Sequence, residues 1–223
     1  QYYLEKEDGG GSRFNEMSKV WAESGHKVTV LAGMYQYESG GKNPKYKGKY
    51  FFKDNNFYDG VDVLRCHVSD SYNSGFLGRL WAYFSFVFAS IYGGLFKTKG
   101  KFDVIVVTSP PLFVGITAYV LSVFKRLPFV FEVRDLWPES AIDTGVLKNK
   151  EIIKFAYWFE KFIYKKAALI NVLTPAFKDK LINSKNIPSE KVVLIPNAAD
   201  FSLAEEIQQD FDAADFKEKL GLK

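Results

Sequence analysis

The sequence has little cysteine, little histidine and no run of like charge. A single cysteine, Cys66, among 223 residues excludes an internal disulfide framework and a cysteine-rich metal site, and suits a reducing compartment. Two histidines, His26 and His67, leave no credible histidine-based metal site. Lysine and arginine outnumber aspartate and glutamate by 30 to 26, a net charge of +4 that is too mild to argue for nucleic acid. No arginine-rich run or nucleic-acid motif is present, so no nucleic-acid partner is expected. Nothing at the amino end resembles a signal peptide, and the opening Gln1-Tyr2-Tyr3 reads as though an initial strand had been cut. What is abundant is apolar: 47% of residues, with 21 Phe and 13 Tyr, enough to build the core of one large domain or of one domain and part of another.

Residues 14–24 place Phe14, Met17, Val20 and Trp21 at helical spacing, and Gly25 ends that helix. Strands are expected at 28–31, 61–66, 102–108, 129–133, 169–173 and 192–195, most of them near-continuous apolar runs. Helices are expected at 77–97, 112–125, 150–166 and after Thr174, where Pro175 at the first turn sacrifices no hydrogen bond. The Gly-, Lys-, Asn- and Tyr-rich stretch 35–60 suggests a long excursion with a hairpin around Tyr50-Phe51-Phe52, and Gly60 reads as the turn into the strand 61–66. Strands alternating with helices predict an α/β fold, a Rossmann-like doubly wound parallel sheet covered on both faces. Ligands of such sheets lie at the carboxyl ends of the strands. That rule places the loop Gly9-Gly10-Gly11-Ser12-Arg13, Ser109-Pro110, Arg134-Asp135 and Pro196-Asn197 along one rim. Three glycines before a helix bring backbone close to a ligand and aim free N–H groups at an anion, a phosphate or diphosphate; the plain alternative is a tight strand-to-helix turn.

Taken together, these segments resemble the N-terminal half of a family 4 glycosyltransferase of the GT-B type, above all bacterial enzymes that build capsule or O-antigen (lipopolysaccharide) sugars on a lipid carrier. The matching segments are the glycine loop with its helix, Gly25-His26-Lys27-Val28-Thr29-Val30, Phe102-Asp103-Val104-Ile105, Thr174-Pro175 and Ile195-Pro196-Asn197-Ala198-Ala199-Asp200. Glu132-Val133-Arg134-Asp135-Leu136-Trp137-Pro138-Glu139-Ser140 is the most diagnostic of all. The resemblance implies an N-terminal acceptor-side domain over 1–200, with 201–223 as the approach to a second, donor-binding domain. That second domain carries a glutamate pair with seven residues between; Glu151 and Glu160 lie nine positions apart and Glu132 and Glu139 seven, so neither pair fits. The domain alone is therefore expected to be inactive, as part of a retaining, metal-independent enzyme of hexosyltransferase type.

The resemblance also distributes roles. Gly10 and Gly11 would meet the donor diphosphate, with Arg13 adding a charge-assisted contact or standing as a solvated arginine. Asp135 would orient or polarise the acceptor hydroxyl. Many relatives have histidine before that aspartate; here the position is Arg134, which suggests a cation meeting phosphate or the reacting sugar, or else an ion pair with Asp135 or Glu139. Trp137 stacks on the acceptor or anchors its loop, and Glu139 binds an acceptor hydroxyl or caps the next segment. Ser109 joins this acceptor side, while Asn197 and Asp200 would face the interdomain cleft, with a turn role as the alternative for Asn197. The implied partners are a nucleotide-sugar donor, as substrate, and a polyprenyl-diphosphate-linked sugar acceptor.

Between Arg79 and Lys97 lie 17 residues without a charge, Leu80 to Phe96. A spanning helix needs ~17–25, and the two tyrosines, two serines and two glycines argue instead for a buried or interfacial helix. In 150–166, Lys150, Lys154, Lys161 and Lys165 share one face, flanked by Tyr157 and Trp158, with Phe155, Phe159, Phe162 and Ile163 opposite. This is either a solvated lysine face over an aromatic core or a face for anionic headgroups. The family's lipid-linked acceptors imply peripheral contact with an anionic membrane at the cytoplasmic inner face. Two other classes remain: a nucleotide- or sugar-phosphate-binding module without transferase activity, and a Rossmann dehydrogenase. The dehydrogenase is poorly supported, because Gly9–Phe14 lacks G-x-G-x-x-G spacing and no ribose-binding acid follows residues 28–31.

Overall fold

The computed structural model describes residues 2–5, 13–36 and 41–198. Helix α1 (Arg13–Glu23) ends at Gly25, whose φ of +89° suits glycine, and leads into strand β1 (Val28–Gly33). A short antiparallel pair, β2 (Tyr35–Gln36) and β3 (Gly41–Lys42), precedes β4 (Phe51–Tyr58) and β5 (Val61–Cys66). Then follow α2 (Gly75–Phe96), β6 (Ile105–Ser109), α3 (Val114–Lys125) and β7 (Phe129–Val133). The short helix α4 (Glu139–Asp143), α5 (Lys150–Lys166), β8 (Leu169–Val172), α6 (Pro175–Asp179) and β9 (Val192–Leu194) complete the order.

The strands form two main sheets. Four run parallel in the order β6-β7-β8-β9, and β1 pairs in parallel with β5, which pairs antiparallel with β4. The expected Rossmann-like α/β architecture is present. The hairpin is placed differently from the expectation around Tyr50-Phe51-Phe52: Phe51 and Phe52 open β4 opposite Cys66 and Arg65, and the chain reverses at Asp59-Gly60. The Asp-Gly pair ahead of the strand 61–66 is the stronger turn signal. Farther from that turn, the β4–β5 register shifts between Asp54 and Tyr58.

Side-chain alternation along β1 and β5 builds a core on each face of that sheet. Val28, Val30, Ala32, Val61 and Val63 meet Phe14 and Ala22 of α1 on one face, while Leu31, Leu64 and Cys66 meet Ala82, Phe86 and Ala89 of α2 on the other. Arg65, buried in β5, donates to the carbonyls of Tyr3 and Leu4 and pairs with Glu5, which pins residues 3–5 onto the sheet. The four-stranded sheet carries the largest core, built by Phe129, Phe131, Val133, Ile170 and Val172 against Phe159 and Ile163 of α5.

Helices α2, α3 and α5 form one layer, with α3 in the middle touching both neighbours. Glycines set its spacing. A Cβ on Gly94 would stand 2.7 Å from Leu121 of α3, and one on Gly115 of α3 would stand 3.0 Å from Ile163 of α5. Gly93 and Gly94, which weaken a membrane-spanning reading of α2, are there so that α2 can approach β5 and α3 closely. No helix among the described residues is long and apolar enough to cross a membrane. The expectation of an aromatic core beneath α5 holds for Phe159 and Ile163 but not for Phe155, which is exposed on the same outer surface as Trp158 and the lysines. Buried positions on α5 recur at 156, 159, 160, 163 and 164, a narrower stripe than the aromatic content suggests.

Cys66 lies in β5 with no exposed surface, and burial pushes its thiol up to about 12. A thiol reagent at mildly alkaline pH is expected to leave the folded chain unlabelled and to label it fully in denaturant; rapid labelling of the native chain would contradict this packing.

Candidate active site

The carboxyl ends of β6, β7 and β8 are polar where the rest of these strands is apolar. In parallel register, Thr108, Glu132 and Asn171 stand side by side. Glu132 is buried, and its carboxylate accepts from Thr108 Oγ1 at 3.0 Å and from Asn171 Nδ2 at 2.9 Å. The Arg13 guanidinium, from the first turn of α1, closes on the same carboxylate at 3.0 Å. Ser109 donates to the Glu132 carbonyl at 3.2 Å, and Asn171 Oδ1 accepts from the Ile195 amide at 3.0 Å. Arg13 also donates to the side chain of Asn197. One buried negative charge therefore ties α1, three strand ends and the segment after β9 into one rim. A charge so placed needs this many partners, because desolvation would otherwise cost several kcal/mol.

The sequence-predicted residues fall around this network in different ways. Arg13, Ser109 and Asn197 are members of it. Arg134 follows β7 directly and is exposed; it forms no ion pair with a described residue, so neither Asp135 nor Glu139 neutralises it. Asp135 is half-buried, and Ser140 Oγ at the start of α4 donates to its Oδ2 at 2.8 Å, which fixes the carboxylate beside Arg134. Trp137 is half-buried and meets Phe113 edge-on at 5.9 Å, so its indole anchors the loop to the helix layer. Glu139 turns to another partner: Lys185 lies 2.7 Å from its Oε1, while its Oε2 is buried without a hydrogen bond. Gly10, Gly11 and Asp200 lie outside the described residues.

Glu139 belongs to a pocket of about 270 Å³, lined also by Tyr157, Glu160, Lys161, Tyr164, Lys180 and Lys185. There Lys185 bridges two carboxylates, reaching Glu160 at 2.6 Å. Burial pushes the Glu160 carboxyl above its ordinary value, Lys185 pulls it back and Glu139 adds to the rise. Burial, with Glu160 beside it, also drives the Tyr164 phenol well above its usual range. No group of three or more candidate metal ligands is found among the described residues.

Glu132, Asn171 and Thr108 received no role from the sequence, although a signal exists. A lone glutamate in Phe129-Val130-Phe131-Glu132-Val133 and a lone asparagine in Leu169-Ile170-Asn171-Val172 interrupt strands buried on both faces. Such polar interruptions at aligned strand ends mark a shared network.

With this rim described, the family is decided by one match: residues 8–198 fit the glycosyl transferase 4-like domain. The chain belongs to that family. Comparison with curated proteins finds none that matches. As a glycosyltransferase 4-like domain, it supports a role in glycosyl transfer, and the match spans the helix carrying Arg13, the Arg134-Asp135 loop and the Asn197 segment.

Three outcomes are expected for this glycosyltransferase 4-like domain. Glu132→Ala strands Arg13, Thr108 and Asn171 without their acceptor and should lower unfolding free energy by about 3 kcal/mol in urea titrations. Glu132→Gln, which keeps an acceptor oxygen, should cost roughly half as much. The raised Glu160 carboxyl contributes stability that is complete below its unfolded value and lost as pH rises through its folded value. Melting temperatures should therefore decline less with rising pH above 4.5 in Glu160→Gln than in the parent; equal slopes would refute the assignment.

Proposed function

We propose that the chain is the acceptor-binding half of a retaining glycosyltransferase. Its whole enzyme moves a sugar from a nucleotide-diphosphate donor to a hydroxyl of a sugar on a polyprenyl-diphosphate carrier, in capsule or O-antigen synthesis at the cytoplasmic face of the membrane. The observation that carries this reading is the Arg134-Asp135 pair on the rim of a glycosyltransferase 4-like domain: an exposed cation with no ion pair among the described residues, next to a carboxylate clamped by Ser140. Departure of the nucleotide diphosphate concentrates negative charge on its bridging oxygen, and a cation already in place stabilises that charge without reorganising. Asp135, its orientation set by one hydrogen bond, keeps an oxygen to accept from the attacking hydroxyl.

The other residues act through the rim. Gly10 and Gly11 would offer amides to the donor diphosphate, with Arg13 contributing the donor capacity left over from Glu132 and Asn197. Ser109, Trp137 and Glu139 would shape the acceptor side, with Asn197 and Asp200 at the cleft toward a donor-binding partner domain. No resident metal or cofactor is needed in this scheme; the nucleotide sugar is substrate.

In the full-length gene product, assayed with nucleotide-diphosphate sugars and a polyprenyl-diphosphate sugar, Asp135→Asn should lower kcat by roughly 100-fold or more with donor affinity little changed. Arg134→Ala should weaken nucleoside-diphosphate binding about tenfold by calorimetry. Donor binding without turnover of any acceptor would favour a sugar-phosphate-binding module instead.

A further inference from the structure

Helix α2 is apolar on the side that faces the core, and it is equally apolar on the side that does not. Leu77, Trp81, Phe88 and Phe96, four, seven and eight positions apart, fall along its outer stripe, each more than half exposed. A soluble helix ordinarily presents charge on that stripe. Two neighbouring features extend it. Phe88 and Phe84 stack at 6.3 Å, Phe84 meets Phe113 at 4.9 Å, and Phe113 stacks on Phe159 at 6.0 Å. Phe159 is parallel to Phe155, which touches Trp158 at 5.6 Å, and both Phe155 and Trp158 are more than half exposed. A chain of ring contacts therefore runs from exposed Phe88 of α2, through half-buried Phe84 and Phe113 and buried Phe159, to exposed Phe155 and Trp158 of α5.

The charge around it is one-sided. Helices α2, α3 and α5 carry seven lysines and arginines, five of them on α5, against Glu151 and Glu160, and Glu160 is buried beside Lys185. Lys154, Lys161 and Lys165 are exposed alongside Phe155 and Trp158. A second copy of the chain is a poor occupant, since a two-fold contact would bring these lysines against themselves. An anionic lipid surface suits both properties, with rings entering the headgroup boundary and lysines meeting the phosphates.

We infer that the outer face of α2, α3 and α5 is the surface by which the chain docks on an anionic bilayer, with Trp81, Phe88, Phe155 and Trp158 inserted and Lys154, Lys161 and Lys165 on the headgroups. This deepens the proposed lipid-linked acceptor reading and rests on it only for the setting. Through the Phe113–Trp137 contact, the docked face is joined to the Arg134-Asp135 rim.

The test is co-sedimentation of the chain with vesicles of neutral phosphatidylcholine, with and without phosphatidylglycerol, containing no sugar acceptor. Binding to the anionic vesicles alone is expected. Combined Lys154→Glu, Lys161→Glu and Lys165→Glu changes should reduce it on the order of 100-fold. Trp81→Ser with Phe88→Ser on α2, and separately Phe155→Ser with Trp158→Ser on α5, should each reduce it at least tenfold, with melting temperatures near the parent's because the rings are exposed. No vesicle binding by the folded parent, equal binding to neutral vesicles, or variants that melt normally yet bind like the parent would each overturn the inference. Self-association abolished by the same serine changes, with no vesicle binding, would overturn it in favour of a dimer. Because no acceptor is present, failure here is separable from failure of the transfer reading.

Discussion

The carboxylate of Glu132 is the charge around which the rim is arranged. Placed in the middle strand of a buried parallel trio, it cannot reach solvent and must be met by donors from whatever surrounds it. Thr108 and Asn171 come from the strands on either side, and Arg13 comes from a helix far away in sequence. Because Arg13 also holds Asn197, the start of α1 and the exit from β9 are tied through one guanidinium. The Arg134-Asp135 loop leaves β7 two residues beyond this anchor, so its position inherits the rigidity of the network. The exposed Arg134 and the Asp135 carboxylate oriented by Ser140 stand on that base.

The helix layer follows a different logic. Its inner side is set by small residues, with Gly93, Gly94 and Gly115 allowing contacts closer than a side chain ordinarily makes. Its outer side carries the large rings. Close packing of α2, α3 and α5 consumes their small faces and leaves aromatic ones outward, where a monomer in water would ordinarily place charge. The loop tryptophan, Trp137, belongs to both regions, through Phe113 to the layer and through its backbone to the Asp135 turn.

Much of this architecture could be read from the sequence, because buried parallel strands are continuous apolar runs and their ends carry turn residues. The strands at 61–66 and 129–133 and the helix at 150–166 were found at their observed bounds for that reason. The region 35–60 was not, since its Gly-, Asn- and Lys-rich stretch masks an eight-residue strand, Phe51–Tyr58, whose polar Lys53-Asp54-Asn55-Asn56 breaks the alternation. At the site, sequence order identified residues at strand ends but could not show which of them face one another. Arg13 and Glu132 are separated by most of the domain, and only the register that aligns Thr108, Glu132 and Asn171 makes them partners. Glu139 sits in the diagnostic segment, yet a lysine from beyond α6 captures half of its carboxylate.

The register shift in β4 has a consequence for how this molecule behaves in a crowd. Open sheets carry a row of free amides and carbonyls at each outer edge, and a flat edge recruits strands from neighbouring molecules into aggregates. Here the edge of the three-stranded sheet at β4 is broken between Asp54 and Tyr58 and carries Lys53 and Asp54, while β9, at one edge of the four-stranded sheet, is only three residues long. Neither of these two edges offers a straight template. At these borders a neighbouring strand finds charge, a broken ladder or too short a partner, so the rings exposed on the helices are not joined there by a surface that would seed fibril-like stacking.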